Sequence, residues 1–305
     1  IFTNLSRDHL DYHGTMEAYA EAKARLFERP ELAACVINID DPWGLALARR
    51  LVAEGRAVIA CTLYAANVDA VPGARVLRAD RLQAAPAGLR FALVWEGREA
   101  EVSVRMVAHF NVSNLIAVAG ALLARGVAFD ELPPVLGRLA PPQGRMQLVG
   151  GVCEPLVVID YAHSPDALAK VLEALRGTVH SRRGHLACVF GCGGDRDPGK
   201  RPLMGEIASA IADRVVITSD NPRSENPLRI IEAIAAGAGP AAECIADRAQ
   251  AIARAVGEAQ ADDVVLIAGK GHEPYQEILG ERLPFSDLEQ AKRALAAWHA
   301  REKDR

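Results

Sequence analysis

The sequence predicts an α/β protein whose second half is a mostly parallel sheet covered by helices on both faces. From about residue 144 onwards, apolar runs of four or five residues alternate with polar loops and amphipathic stretches. Fully apolar strands separated by helices are typical of a parallel sheet with right-handed crossovers. Just before this region, Pro133-Pro134 and Pro141-Pro142 break the helical pattern. We therefore predict one domain over residues 1–143 and a second over 144–305.

Length and composition fit a globular protein of roughly two domains. The chain has 305 residues, of which 50% are hydrophobic and 24% charged, enough to bury a full core. A formal net charge of −4 without a basic stripe argues against nucleic acid as a partner. No apolar run approaches the ~20 residues that span a bilayer, and the six cysteines contain no C-x-x-C pair. We expect a cytoplasmic monomer with reduced, mostly buried thiols and no membrane insertion.

The first half opens with a short strand and a helix. Residues 1–5 are typical of the end of a buried strand, so we expect further sequence before Ile1. A Gly-Thr turn at 14–15 predicts the start of a helix over 16–27. The other predicted elements are a strand over 35–38, a helix from Asp41-Pro42, a hairpin over 89–106 around Glu96-Gly97-Arg98, and a helix over 112–125 with Asn111 as its N-cap.

In the second half, strand, loop and helix repeat regularly. Ligands of such sheets bind beyond the carboxyl ends of the strands, which tells us where to look for a site. The predicted strands are 156–159, 186–190, 215–218 and 264–268, and helices start near Pro165, Pro202, Pro227 and Arg248.

The segments that follow these four strands are rich in glycine and charge. One polar, glycine-rich loop is ordinary for a surface turn, but the topology brings all four segments to the same edge of the sheet. Their coincidence favours a binding site over four unrelated turns. The segments are Asp160–His163, Gly191–Asp197, Asp220–Arg223 and Gly269–Glu273.

One of these segments superficially matches a phosphate-binding P-loop. Residues 194–200 fit G-x-x-x-x-G-K between a strand and a helix. The next residue is Arg201, where Ser or Thr should supply a hydroxyl to magnesium, and Pro198 removes an amide donor. We therefore reject the P-loop interpretation, although Arg196 and Lys200 still allow the loop to hold an anion.

Arg223 and Glu273 suit the two ends of a zwitterion. A guanidinium presents a planar fork that matches a carboxylate, and a glutamate pairs with an ammonium. Together they are able to grip a free amino acid. The alternative at this point is a salt bridge between the two that closes the edge of the sheet.

In the front segment, Asn4–Gly14 concentrates imidazoles and carboxylates, which an ordinary surface turn explains equally well. Lys23 is more unusual, because it interrupts an apolar helical stripe that contains Tyr19 and Phe27. Either it extends its ammonium to solvent, or it faces a metal site, where the ammonium would repel the cation unless chemically modified. Asn114 has an amide able to read a purine edge, a weak indication by itself.

Taken together in chain order, these segments closely resemble the Mur ligases. Within that family the chain is similar to the members that add meso-2,6-diaminopimelate to UDP-N-acetylmuramoyl-L-alanyl-D-glutamate, a cell-wall precursor. The match covers the whole chain and its motifs are highly specific. The segments that carry it are Asn4–Gly14, Ala22-Lys23, His109–Asn114, Gly144–Met146, Asp160–Asp166, Gly191–Pro202, Asp220–Arg223 and Gly269–Glu273.

The resemblance implies the rear part of a P-loop-type central ATPase domain, followed by a Rossmann-like, mostly parallel α/β domain that binds the incoming amino acid. It implies an amide ligase in which ATP phosphorylates a substrate carboxylate and the amine attacks the acyl phosphate. During the phosphoryl transfer, Mg²⁺ would screen the charge on the transferring group. The family's phosphate-binding loop would precede Ile1, so we expect this stretch to be inactive alone.

The resemblance also implies roles for individual residues. His9 and Lys23, the lysine as a carbamate, would act in catalysis and bind the metal. The implied nucleotide contacts are Asn114, Arg145 and Asp160. The implied diaminopimelate contacts are Arg196, Asp220, Asn221, Pro222, Arg223, Gly269 and Glu273.

Arg223 is the residue from which we predict the specificity for the amino acid. Diaminopimelate differs from lysine by a distal carboxylate, and a lysine would leave this cation unpaired, which is a strong basis for rejection. Lysine-adding relatives lack an arginine at this position. The rival hypotheses are a lysine-adding ligase or a folylpolyglutamate synthetase, and a non-catalytic module that binds an amino acid or nucleotide.

Overall fold

The computed structural model describes residues 1–6, 10–85 and 88–303. The chain divides into two compact units, the first formed by residues 1–83, 89–104 and 109–139, and the second by 84–88, 105–108 and the chain from 140 onwards. Helices pack on a sheet in each unit, which confirms the predicted α/β class. The assignment of 1–143 and 144–305 to separate functional domains stays a prediction.

The sheet of the first unit is mixed. Neighbouring strands β1, β2 and β3 are parallel, and β4 and β5 are antiparallel. The tight turn between β4 and β5 places Glu96 and Gly97 at positive φ, as two-residue hairpins require, and this confirms the predicted hairpin. The order is β1-β2-β3-β4-β5, with β1 (Cys35–Asn38), β2 (Val58–Thr62), β3 (Arg75–Ala85), β4 (Gly88–Trp95) and β5 (Arg98–Val104).

Side-chain caps explain where two helices of the first unit begin. The Thr15 hydroxyl accepts a hydrogen bond from the Ala18 amide at 3.1 Å, and the Asp41 carboxylate accepts from the amides of Trp43 and Gly44. The helices are α1 (Leu10–His13), α2 (Met16–Ala24), α3 (Pro42–Ala53), α4 (His109–Ala124) and α5 (Leu132–Leu136).

Two predicted helix boundaries in this unit are wrong. The helix predicted over 16–27 ends at Ala24 and continues as a 3₁₀ turn over Arg25–Glu28. Asn111 is not an N-cap, because α4 begins at His109 and contains it as a buried third residue. Asparagine is a favoured N-cap residue, so the prediction starts the helix after Asn111, whereas His109 and Phe110 are already helical.

The sheet of the second unit confirms the predicted parallel arrangement. Its strands run in the order β10-β9-β8-β11-β7-β6 and pair in parallel except for β6, which lies antiparallel to β7. The carboxyl ends of the parallel strands therefore share one edge. The strands are β6 (Gln147–Gly150), β7 (Leu156–Asp160), β8 (Leu186–Phe190), β9 (Arg214–Ile217), β10 (Glu243–Cys244) and β11 (Val264–Ala268).

Helices cover both faces of this sheet. One apolar core joins it to α6, α7 and α8, and a second core joins its other face to α9 and α10. A short antiparallel hairpin of β12 and β13, which the sequence pattern did not single out, follows β11. These elements are α6 (Pro165–Arg182), α7 (Lys200–Ile211), α8 (Pro227–Ala238), α9 (Arg248–Glu258), β12 (Tyr275–Ile278), β13 (Glu281–Pro284) and α10 (Asp287–Lys303).

The cysteines agree in most positions with the expectation of buried thiols. All six are free, and Cys153 and Cys244 are exposed. Burial raises the pKa of the Cys61 and Cys188 thiols to about 12. Within the part of the chain that the structure describes, no helix combines the length and apolar character needed to cross a membrane. The buried cysteines are Cys35, Cys61, Cys188 and Cys192.

Candidate functional site

A charged cavity of about 350 Å³ opens at the carboxyl edge of the second unit's sheet. The segments that follow β7, β8, β9 and β11 all contribute to its wall, as the parallel topology predicted. Cations and carboxylates alternate around it, so it suits a ligand that carries both signs of charge. It is lined by Tyr161, His163, Gly193, Arg196, Asp197, Lys200, Asp220, Asn221, Arg223, Gly269 and Glu273.

Asp220 places a buried carboxylate in the cavity wall. It is 7% exposed, and burial raises its pKa above the usual range even though the cations Arg248 and Lys270 act in the opposite direction. Its side chain accepts no hydrogen bond from any described residue. Gly269 lies directly against it, at a φ of +116°, and a Cβ there would meet the carboxylate at 2.4 Å. The carboxylate is therefore available to a ligand.

Beside it, Asn221 and Glu273 form a fixed polar pair. The Asn221 amide nitrogen donates to Glu273 Oε2 at 2.8 Å, and the Asn221 amide oxygen accepts from Lys270 Nζ at 2.9 Å. Lys270 Nζ also lies 3.1 Å from Glu273 Oε2, and its side chain is fully buried. Lys270 therefore orients both groups from behind the cavity.

Lys270 had no role in the sequence prediction. It lies inside the Gly269–Glu273 segment but does not line the cavity, and its hydrogen bonds are to the amide of Asn221 and the carboxylate of Glu273.

Arg223 enters the cavity from a loop with left-handed backbone geometry. Its φ is +50°, its Nη1 donates to the carbonyl of Gly194 at 2.8 Å, and its Nε lies 3.6 Å from the Glu277 carboxylate. The alternative of a direct salt bridge between Arg223 and Glu273 is wrong, because Glu273 pairs with Lys270 and Arg223 with Glu277.

Several backbone amides of the loop at 191–199 donate to acceptors within the protein. The amide of Gly194 donates to the carbonyl of Asn221 at 2.9 Å, and the amide of Asp195 donates to Glu225 Oε1 at 2.7 Å. Such amides cannot also cradle a phosphate, which supports the rejection of a P-loop here. Lys200 lines the cavity and donates to the carbonyl of His163 at 2.7 Å.

Asp160, at the end of β7, holds the turn that contains Arg145. The Asp160 carboxylate accepts from the amides of Met146 and Ala162, each at 2.8 Å. Burial raises its pKa, although these two hydrogen bonds act in the opposite direction. The guanidinium carbon of Arg145 lies 4.7 Å from the centroid of the Tyr161 ring. Asp160 thus fixes the turn that presents Arg145.

The first unit carries the other predicted residues. Lys23 is half-buried on α2, and its Nζ lies 5.1 Å from the Tyr19 ring centroid. It borders a hollow of about 270 Å³ that Thr3 and Asn4 also line. Asn114 is exposed on α4. His9 lies outside the described residues, and within 1–6, 10–85 and 88–303 no three His, Cys, Asp or Glu side chains gather as metal ligands.

Comparison with known proteins places these residues in a family. The family model for the Mur ligase middle domain matches residues 1–122, and that for the Mur ligase glutamate ligase domain matches residues 144–271. The chain belongs to the Mur ligase family. Both family models lie in the chain order that the sequence motifs of the Mur ligases predicted.

Close relatives among the Mur ligases share one name. The UDP-N-acetylmuramoyl-L-alanyl-D-glutamate--2,6-diaminopimelate ligase of Ectopseudomonas mendocina is 51% identical over 302 residues, which is 98% of this chain and 60% of the relative. The protein of that name from Pseudomonas aeruginosa is also 51% identical, over 98% of this chain and 59% of its own length. The chain thus spans about 60% of the length of these relatives.

Solved Mur ligase structures show the same fold. A structure of UDP-N-acetylmuramoyl-L-alanyl-D-glutamate--2,6-diaminopimelate ligase matches with a TM-score of 0.74 at 42% identity, covering 97% of this chain and 60% of that one. MurF from Acinetobacter baumannii matches with a TM-score of 0.66 at 14% identity, over 98% of this chain and 59% of its own. The second similarity supports the fold alone.

Proposed function

We propose that the protein containing this chain is an ATP-dependent amide ligase that adds meso-2,6-diaminopimelate to UDP-N-acetylmuramoyl-L-alanyl-D-glutamate in peptidoglycan synthesis. Relatives 51% identical to the chain carry that name. The observation that carries the proposal is the cavity in which Arg223 stands together with Asp220 and Glu273. Its charges match an amino acid with two carboxylates and two ammonium groups.

The chain's own contribution is to hold the amino acid so that one amine faces the activated substrate. In the proposed reaction, ATP phosphorylates a carboxylate of the substrate's glutamate, and the amine displaces phosphate from the resulting acyl phosphate. Holding two reactants in a fixed geometry replaces a bimolecular encounter and supplies much of the rate gain. Hydrogen bonds already order Asn221, Lys270 and Glu273, so binding does not have to arrange them.

We assign an ammonium of the ligand to Asp220 and Glu273. Asp220 has no hydrogen-bond partner from the described residues, and an ammonium would offset the cost of burying its charge. Gly269 leaves room for the ligand beside this carboxylate because a side chain there would fill it. Pro222 lies between Asn221 and Arg223 and contributes to the shape of the same loop.

We assign the carboxylates of the ligand to Arg223 and Arg196, which both line the cavity. If Arg223 meets the distal carboxylate, lysine would leave its guanidinium unpaired, because the chain of lysine ends in an ammonium group without a carboxylate. A site built to bind a polar group rejects an analogue that lacks it, because the site's own group is then unpaired. This assignment separates diaminopimelate from lysine.

The nucleotide and metal parts of the proposal depend on the family resemblance. Arg145, presented by the turn that Asp160 holds, is proposed to contact ATP. Asn114 is exposed on α4, where a nucleotide has access to it. His9 and carbamylated Lys23 are proposed as Mg²⁺ ligands. The half-buried position of Lys23 beside a hollow is compatible with that role. The metal would screen phosphoryl charge when bound.

Calorimetry tests the amino-acid site directly. Titrating meso-diaminopimelate into the 305-residue chain should produce saturable heat at ligand concentrations up to the millimolar range. L-lysine, which lacks the distal carboxylate, should bind much more weakly. Absence of heat with diaminopimelate, or equal affinity for the two amino acids, would contradict the proposal.

A further inference from the structure

The hairpin of β12 and β13 holds the backbone of Arg223. The Arg223 amide donates to the carbonyl of Glu277 at 3.0 Å, and the Leu279 amide donates to the carbonyl of Arg223 at 2.7 Å. These bonds form an isolated parallel bridge between Arg223 and Ile278. A non-glycine residue at a φ of +50° needs such support, because left-handed geometry is unfavourable for it. The hairpin therefore sets where the arginine side chain starts.

The guanidinium of Arg223 is then held from two sides. Nη1 donates to the carbonyl of Gly194 at 2.8 Å, and Nε lies 3.6 Å from Oε2 of Glu277. A Cβ at Gly193 would lie 2.9 Å from Nη1, so a side chain there would displace this end of the guanidinium. Nη2 forms no hydrogen bond with the described part of the chain. That nitrogen remains available to a ligand.

We propose that Glu277 is a positioning residue that gives the site its preference for an amino acid with a distal carboxylate. Glu277 does not line the cavity, so it acts on a ligand through Arg223. An arginine side chain has several rotatable bonds, and ordering it before the ligand arrives lowers the entropy lost on binding. Only a ligand that uses the guanidinium gains from this ordering.

The charge of Glu277 could also weaken ligand binding, but its position relative to Arg223 keeps this effect small. A carboxylate beside Arg223 also competes with a ligand carboxylate for the same cation. At 3.6 Å from Nε it is too far for a strong hydrogen bond, and it lies on the Nε side while Nη2 stays free. Orientation therefore outweighs competition, and removing the charge should weaken binding of the distal carboxylate.

The proposal rests on the proposed function and is tested by calorimetry on the 305-residue chain. Glu277→Gln retains the size and the backbone hydrogen bonds of the residue. It should raise the Kd for meso-diaminopimelate about fivefold, as expected for a partly exposed ion pair, and leave the affinity for L-lysine and the melting temperature unchanged. Glu281→Gln, in the exposed strand β13 of the same hairpin, is the matched control and should change neither affinity.

The same substitution in the Arg223→Ala variant distinguishes a positioning role of Glu277 from a general effect on the structure. In Arg223→Ala, adding Glu277→Gln should cause no further loss of diaminopimelate affinity, because the residue through which Glu277 acts is gone. Additive losses, equal losses for both amino acids, or tighter diaminopimelate binding in Glu277→Gln would each overturn the proposal. If the unaltered chain binds no diaminopimelate, the proposed function fails. If it binds and Glu277→Gln has no effect, only this inference fails.

Discussion

At the residue scale, the cavity contains two residues whose burial or backbone conformation reduces the stability of the folded protein. Asp220 is buried without a hydrogen bond from the described residues, and Arg223 has an unfavourable backbone conformation. The cost at Asp220 is explained if a ligand completes the site, since binding then supplies the missing partner, and strained backbone such as that of Arg223 clusters at binding sites. Stability and binding should therefore respond in opposite directions to changes at Asp220.

Asp220→Asn tests that opposition. Burial raises the pKa of Asp220, so the folded protein retains its proton to a higher pH than the unfolded chain does. The contribution of Asp220 to the free energy of unfolding is therefore fully present below the pKa of the unfolded chain. It is lost as the pH rises towards and through the pKa of the folded protein. The variant, which cannot ionise, should melt higher than the parent by a margin that grows from about pH 4 to about pH 7. Thermal unfolding at both pH values measures it.

If the difference in melting temperature between Asp220→Asn and the parent were the same at both pH values, ionisation of Asp220 would have no role in it. The variant should also bind diaminopimelate more weakly in calorimetry, since a neutral amide forms a weaker hydrogen bond with an ammonium than a carboxylate does. Unchanged affinity would remove Asp220 from the site.

Arg223→Ala should lower diaminopimelate affinity far more than ATP affinity. Losing a charge-assisted contact to a carboxylate predicts a loss of roughly 10- to 100-fold for the amino acid. Calorimetry with each ligand on the full-length ligase measures both affinities. Arg229→Ala is the control, because this arginine is exposed on α8 and pairs with the neighbouring Glu232. Equal losses for the two ligands would exclude the specificity role.

At the element scale, a buried ion pair ties two strand ends to two helices. Arg248, in the first turn of α9, donates to both carboxylate oxygens of Asp287 in α10 at 2.8 Å, and both side chains are fully buried. The same guanidinium donates to the carbonyls of Ser219 and Ala268. These carbonyls precede Asp220 and Gly269, so the pair holds the loops that form the cavity.

Asp287→Ala should destabilise the protein by about 3–5 kcal/mol, because it leaves a buried guanidinium without its counter-ion. Urea unfolding measures the change. Glu289→Ala on the same helix is the control, since its pair with Lys292 is more than half exposed and should contribute at most ~1 kcal/mol. Similar effects for the two variants would show that the buried pair has no special weight.

At the scale of the whole molecule, the predicted site residues are divided between the two compact units. The cavity at the carboxyl edge is lined by residues of the second unit, while Lys23 and Asn114 belong to the first. The other proposed nucleotide contacts, Arg145 and Asp160, belong to the second unit. We therefore expect only that Lys23, in the first unit, is dispensable for amino-acid binding.

Lys23→Ala should leave the Kd for diaminopimelate within about twofold of the parent, the range for sites without shared partners. The same change should abolish ligation by the full-length enzyme if the carbamate is needed for the metal. Calorimetry on the chain and product formation by the ligase measure the two effects. A large loss of diaminopimelate affinity would show that the two sites are coupled.

Much of the architecture was predictable from local pattern. Buried parallel strands are continuous apolar runs, so β7, β8, β9 and β11 were found within one or two residues. Proline at the first helical position marked α6 and α8 in the same way. The hairpin β12–β13 and the start of α4 were not predicted, because half-exposed or polar turns have no distinctive periodicity.

The sequence by itself determined the α/β class, the edge of the sheet where a site would form, and the family, because strand patterning and short motifs are local properties. Only the tertiary structure decided which groups face the cavity and which support them. Lys270 and Glu277 act from behind Asn221 and Arg223, and the partner of Arg223 is Glu277 rather than Glu273. Such pairings depend on distances between loops far apart in the chain, which spacing along the sequence does not encode.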